Sequence, residues 1–345
     1  MNDDAPVNAL LLAAGLSTRL GPLSEQRPKP LLPVCNASLL RWAAAHCRSA
    51  GIRDVAVNLH HLGRQIRGEL GDGSALGLSV TYSAEEQILG TGGGIKRMAQ
   101  LMPPGRRCLV LNAKIVTDLD LRRLISAHRR SGALATMVVR PDPNAERWGA
   151  IGVDAAGRVT RILEHRAPHT EPTPAYQFTG IHLLDPELID AIPDEPTLRC
   201  VIRTAYADLL RRGAPIRALV HHGYFYDHST PARYLQGNLK LLQGAAHPSH
   251  APGPLQGVDP SARIAPKAEL VPPLLVGAGA RVEAGARVGP CVVLGPSSRV
   301  ASGVALRHSV VWADATVEAG GERLIVTSQS ALSVPDAGDP AQSPR

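Results

Sequence analysis

Over the first 130 positions, short apolar runs alternate with longer stretches of mixed character. Residues 7–12, 55–58, 78–82 and 108–111 are apolar runs of strand length. The stretches 39–50, 62–70, 94–101 and 119–130 carry apolar residues at helical spacing. Ser38 stands where a helix N-cap is expected, and Gly51 where that helix should stop. Such alternation predicts a mostly parallel sheet covered by helices. Sheets of this kind bind ligands at the carboxyl ends of their strands. Gly15, residues 90–94 and residues 112–114 fall at or near such ends. From 151 to 227 short strands and Gly or Pro turns dominate, with a helix expected around 200–212 and a last one over 231–242.

A different pattern begins after residue 256. Val258, Ile264, Leu270, Val276, Val282, Val288, Leu294, Val300 and Leu306 are aliphatic at a strict period of six. The residue four later is small or β-branched: Ala262, Ala268, Ala280, Ala286, Val292, Ser298, Val304. One large aliphatic position in six matches neither a helix face nor an alternating strand. Hexapeptide repeats stack into a parallel β-helix with the aliphatic residue inside. The register slips by one near Val311 and resumes at Val317. The expected organisation is a catalytic-type domain over 1–243, a linker over 244–256, the repeat domain over 257–328 and a pattern-free tail over 329–345.

Composition narrows the class. The chain has 345 residues, 44% of them hydrophobic and 3% aromatic, with 33 Gly and 29 Pro. That supports a real core built from small residues, with many turns. The net charge of +7 allows an anionic partner. No long basic run and no aromatic stacking platform accompanies it, which argues against nucleic acid. Five cysteines, odd in number and without a C-x-x-C pair, point to free thiols in a reducing cytoplasm rather than disulfides or a zinc site. Asp3 and Asp4 stand where a signal peptide needs positive charge, and the first apolar run is too short to span a membrane.

Residues 10–34, LLLAAGLSTRLGPLSEQRPKPLLPV, carry the strongest chemical signal. A strand that ends in a small-residue loop lets backbone N–H groups approach phosphate oxygens. Arg19, and Lys29 between Pro28 and Pro30, are two cations able to neutralise a polyphosphate. Gly15, Ser17, Thr18, Arg19, Leu20, Pro22, Pro28, Lys29 and Pro30 fit the pattern G-x-[GS]-T-R-[LM]-x-P-x-x-x-x-x-P-K-P. The stretch resembles the signature of the sugar-1-phosphate nucleotidyltransferases. Residues 85–96, EEQILGTGGGIK, resemble that family's E-x-x-L-G-T-x-G segment, and residues 223–227, GYFYD, its G-x-W-x-D. With the repeats, the layout is most similar to the mannose-1-phosphate guanylyltransferases. The LGDGSALGL and TGGGI segments also resemble muramate-phosphate and other uridylyltransferases.

This resemblance implies an α/β fold: a Rossmann-like, mostly parallel mixed sheet flanked by helices, followed by a (left-handed) parallel β-helix. It implies a reaction in which a sugar 1-phosphate oxygen attacks the α-phosphorus of a nucleoside triphosphate and pyrophosphate leaves in line. Both reactants are anions, so catalysis rests on charge neutralisation and alignment. Arg19 and Lys29 are the implied triphosphate cations, and Leu12, Ala14, Gly15, Ser17, Thr18, Glu85, Gly90, Thr91 and Gly92 the implied nucleotide-binding positions. The Glu85–Glu86 pair could accept from the N1–H and amino group of guanine, which would favour GTP; a solvated loop carboxylate is the other reading. Asn112, Gly149, Glu164 (in ILEHRAP), Thr179 and Gly180 (in FTGI) are the implied sugar-phosphate side. A Mg²⁺ held by one or two carboxylates is the implied cofactor, with Asp227 as ligand; a helix N-terminal acid before Pro231 is its alternative reading.

One motif departs from the family. Where N-G-D is expected, with the Asp on the metal, the chain reads Asn112-Ala113-Lys114. A charged Lys114 cannot ligate Mg²⁺. Three readings stand open: Lys114 replaces part of the metal's charge, Asp118 or Asp120 reaches the ion instead, or the site binds nucleotide sugar without turnover. The adjacent pairs His60–His61 and His221–His222 are read as loop or surface residues, since neighbours on a strand face opposite ways. His308 alone among the repeats, with no long insertion, gives little support to an acyltransferase. The expected protein is a cytoplasmic, homo-oligomeric enzyme acting on an NTP and a mannose-1-phosphate-like substrate. Its alternative is a weak or inactive homologue that binds nucleotide sugar.

Overall fold

The apolar runs become neighbouring strands because their side chains are buried on both faces. In the computed structural model, which describes residues 6–194 and 200–335, Leu10 and Leu11 face opposite ways and neither is exposed. Two-sided burial of this kind is the mark of parallel strands. Contacts divide the chain into two units: Met1–Leu16 with Ala43–Phe225, and Ser17–Trp42 with Tyr226–Arg345.

The first unit is built on a ten-stranded sheet. Its strands are β1 (Asn8–Leu12), β2 (Asp54–Leu59), β3 (Ser79–Ala84), β4 (Cys108–Asn112), β5 (Ala135–Arg140), β6 (Ala150–Val153), β7 (Val159–Ile162), β8 (His165–Arg166), β9 (Ala175–Leu184) and β10 (Ile216–Val220). β3, β2, β1 and β4 run parallel in that order. The long β9 reverses direction beside β4 and also pairs β5 and β6. β10 lies parallel to β5. Helices Gly63–Leu70, Gly90–Gln100 and Leu121–Ser131 supply the crossovers. The helix expected over 94–101 begins four residues early, at Gly90, because the Glu85 carboxylate accepts the Leu89 N–H and fixes the preceding turn. The helix expected around 200–212 runs without a break from Ile202 to Arg211, π-helical over Ile202–Tyr206 and α-helical over Ala207–Arg211.

The second unit carries the repeats. Their two- and three-residue strands form three parallel stacks, one coil per three hexapeptides. Val258, Val276 and Leu294 lie in register, as do Ile264, Val282 and Val300, and Leu270, Val288 and Leu306. The next coil is one residue short, so Leu294 pairs Val311 and Val300 pairs Val317. Leu324–Val326 is joined by an antiparallel strand, Ala331–Ser333, which covers part of the expected tail; residues 336–345 lie outside the described residues. The helix Pro231–Leu242, with Pro231 in its first turn and the Thr230 hydroxyl accepting the Arg233 N–H, packs on one stack. Beneath it the outward-facing Val293, Val310 and Ile325 are buried as fully as the β-helix interior.

All five cysteines are free thiols, and burial pushes Cys35, Cys47 and Cys108 up to about 12, where they are unreactive. No helix among the described residues is long and apolar enough to cross a membrane.

Two outcomes follow from the packing. Ser298 is fully buried at a small position of the repeat, and its hydroxyl has no hydrogen-bond partner. Ser298→Ala should therefore stabilise the chain by about 1 kcal/mol; a denaturant midpoint that falls would refute this account of the interior. The second concerns Asp185. Burial pushes its carboxyl up, but His128 (3.2 Å) and Arg107 (2.6 Å) outweigh burial and hold it below the usual carboxylate range. A depressed folded value gives stability that is present above the carboxylate range and is lost as pH falls through the folded value. Asp185→Asn should flatten the acid limb of a melting-temperature profile, and an unchanged limb would count against it.

Candidate active site

In the first unit the strand ends are braced by one amide. Asn58, at the end of β2, accepts the Ala13 N–H (2.6 Å) and the Ala14 N–H (3.2 Å) on Oδ1. Its Nδ2 donates to Glu85 Oε1 at 2.8 Å, while Glu85 Oε2 accepts the Leu89 N–H at 3.0 Å. Asn58 and Glu85 are each only 4% exposed, so these bonds dominate what the two groups do. The brace joins Ala13 and Ala14 to the 85–94 segment. A Cβ on Gly94 would sit 3.0 Å from Asn58 Nδ2 and 3.1 Å from Glu85 Oε1. Glu86 is exposed. Thr91 is tied inward, its hydroxyl accepting the Val201 N–H at 3.0 Å, while Gly90 and Gly92 form the first helical turn around it. Sequence reasoning missed Asn58; a polar residue closing the apolar run VAVN was the available signal.

Asn112 ends β4 beside Gly180 of β9. Gly180 has φ +80°, and a Cβ there would lie 2.2 Å from Asn112 Nδ2, so only glycine leaves room for this amide. Thr179 is buried at the irregular point of β9, donating to the Val138 carbonyl at 2.7 Å and accepting the Ile181 N–H. Glu164 is exposed in the turn between β7 and β8, and Gly149 packs against Leu163 of that turn.

Lys114 is half-buried between β4 and the strand Ile115–Thr117, and its N–H donates to the Asn112 carbonyl at 2.7 Å. Asp118 and Asp120, nearby in sequence, each have a partner on one carboxylate oxygen. Asp118 Oδ1 lies 3.1 Å from His221 Nε2. Asp120 caps the helix Leu121–Ser131, accepting the N–H groups of Arg122 (2.9 Å) and Arg123 (3.2 Å). Among the described residues no three His, Cys, Asp or Glu side chains cluster to hold a metal. Mg²⁺ takes one or two carboxylates and completes its shell with water and substrate phosphates, so it does not need such a cluster.

In the second unit, Arg19 stands exposed on a tight turn, Thr18–Leu20, pinned by the fully buried Leu20; Thr18 beside it is exposed. Lys29 opens a second turn, Lys29–Leu31, between buried prolines. Ser17 ties the two turns together, its hydroxyl accepting the Lys29 N–H at 3.1 Å. Asp227 is half-buried at the end of the strand Phe225–Asp227. The helix that follows is capped by Thr230, so the N-cap task is not Asp227's.

Gly15 stands apart. Its backbone is not left-handed, and an added Cβ would meet no atom within 4 Å. Nothing among the described residues requires glycine there.

Asn58→Ala should leave two loop N–H groups and Glu85 without their partner and cost roughly 2–3 kcal/mol in a denaturation experiment. Asn58→Asp should not rescue it, because the new carboxylate would face Glu85.

Residues 8–244 match the family model described as nucleotidyl transferase. The chain is 34% identical over 280 residues to a mannose-1-phosphate guanylyltransferase of Mycobacterium tuberculosis, spanning 79% of this chain and 76% of that protein. It is 32% identical over 191 residues to an N-acetylmuramate alpha-1-phosphate uridylyltransferase of Neisseria meningitidis, 54% of this chain and 78% of the relative. A Bacillus anthracis structure described as a glucose-1-phosphate thymidylyltransferase shares the fold, with a TM-score of 0.57 at 22% identity over 67% of this chain and 94% of that one. The chain belongs to the nucleotidyl transferase family, among the sugar-1-phosphate nucleotidyltransferases.

Proposed function

We propose that the protein condenses GTP with mannose 1-phosphate or a closely similar sugar 1-phosphate. A phosphate oxygen of the sugar attacks the α-phosphorus, the bond to the β-phosphate bridging oxygen breaks, and pyrophosphate departs with that oxygen. The observation that carries this reading is the signature loop: Gly15, where an added Cβ would meet no atom within 4 Å, precedes in sequence two cation-bearing turns that Ser17 ties together. A small residue there leaves room for the close approach of a phosphate. Arg19 and Lys29 neutralise the triphosphate. Leu12, Ala14 and Glu85 act through the Asn58 brace to hold the loop, and Glu86 is the carboxylate open to a guanine edge. Asn112 and Gly180 line the sugar side, with Glu164 and Gly149. The guanylyltransferase relative supports the choice of base and sugar.

A second reading is favoured by one position. Lys114 stands where the resemblance calls for a metal-binding Asp, and Asp118 and Asp120 are otherwise engaged. Losing such an electrostatic group costs on the order of a hundredfold or more in rate. On this reading the protein binds a nucleotide sugar and turns it over slowly or not at all.

Pyrophosphate release from the purified chain, measured with each NTP and a panel of sugar 1-phosphates in Mg²⁺, separates the two. Turnover greatest with GTP and mannose 1-phosphate is expected. No release with any pair, while GDP-mannose still binds, would decide for the second reading. Gly15→Ala should leave the melting temperature unchanged and weaken NTP binding at least tenfold; equal binding would remove the observation on which the proposal stands.

A further inference from the structure

We propose that Arg140 is the cation that binds the phosphate of the sugar 1-phosphate, and that the Gln177 carbonyl accepts a hydroxyl of the same sugar. This rests on the reading above, in which Asn112 and Gly180 line the sugar side. Arg19 and Lys29 serve the triphosphate on that reading, and the second anion needs a cation as well. Arg140 ends β5 and is half-buried. Its partner on the antiparallel β9 is Gln177, so the two side chains rise from the same face of the sheet. On its other side Gln177 pairs Ala150, the residue after Gly149. Three residues further along β9 stands Gly180, beside Asn112. At about 3.3 Å per residue the separation is roughly 10 Å, a span that a hexose 1-phosphate can bridge.

Neither side chain has the partner its chemistry calls for. The Arg140 guanidinium lies over the Phe225 ring, 5.4 Å from its centroid, and makes no ion pair or hydrogen bond among the described residues. Arginines on or beside the neighbouring strands do find acceptors: Arg158 pairs Asp154, Arg161 pairs Glu146, and Arg217 donates to the Ala156 carbonyl. A cation–π contact holds a guanidinium in place but leaves its N–H donors unused. Gln177 Oε1 is buried and accepts no hydrogen bond among the described residues. A buried carbonyl left unmet is costly and marks a missing donor. Arg140 stands directly across the sheet and could donate to it, yet turns to the ring instead. The pair thus offers a planar fork of donors beside an open acceptor. A sugar phosphate fits both, with phosphate oxygens for the fork and a hydroxyl for the carbonyl.

The test is calorimetric titration of the full chain with mannose 1-phosphate, glucose 1-phosphate and GTP, each alone and without Mg²⁺, so that no turnover interferes. Arg140→Gln is expected to weaken sugar 1-phosphate binding at least tenfold and to leave GTP binding unchanged, which also shows that the variant folds. Arg140→Lys, which keeps the charge and loses the fork, should bind with intermediate affinity. Gln177→Glu sets a carboxylate across from Arg140 and should weaken sugar 1-phosphate binding at least tenfold by neutralising it. The proposal is overturned if Arg140→Gln or Gln177→Glu binds sugar 1-phosphates as tightly as the unaltered chain, or if Arg140→Gln loses GTP equally. Equal binding by Arg140→Gln overturns this proposal alone. Failure of the unaltered chain to bind any sugar 1-phosphate overturns it together with the function on which it rests.

Discussion

The second unit turns on one buried hydroxyl. Tyr234, on the helix that covers the repeats, donates to the Pro33 carbonyl at 2.8 Å and accepts the Trp312 indole N–H at 3.0 Å. It has no exposed surface, and burial raises its phenol far above the usual value, so it acts only as a neutral group. Leaving either partner unmet in such a place costs about 1–3 kcal/mol. Around it, Asn238 Oδ1 accepts the Cys35 N–H at 2.8 Å, and Asn36 Nδ2 donates to the Leu294 carbonyl at 3.0 Å. Arg27 stacks over Trp312 at 5.0 Å. The segment that carries Arg19 and Lys29 thus rests on the β-helix, directly and through this helix. Repeats that read as an appended domain are the bedding of the chain's two signature cations.

The first unit solves a related problem with carboxylates. Glu85, Asp118, Asp120 and Asp185 are each held by a named partner: Asn58 and the Leu89 N–H, His221, a helix N-terminus, and Arg107 with His128. Acids so committed order loops and helices, and ordered loops are what electrostatic catalysis needs.

Much of the architecture was legible in the chain. Strand–helix alternation foretold the parallel core, and the period of six foretold the β-helix down to the skipped residue near Val311, because both signals are local and repeat. What escaped was held by single side chains meeting across long separations. Asn58 joins loops 45 and 27 residues away, and Tyr234 reaches Pro33 across 201. Neither leaves a periodic trace. The early start of the helix Gly90–Gln100 escaped for the same reason: glycines carry weak helix propensity, and a Glu85 carboxylate outside the helix decides the matter.

The division of the chain also bears on its synthesis. Residues 17–42 leave the ribosome long before the helix that carries Tyr234. At about 5–20 residues per second, a separation of 201 residues is a delay of roughly 10–40 s. During that interval the signature loop has its sequence but not its seat. The nascent chain carries its two cation-bearing turns without the Tyr234 contact until that helix emerges.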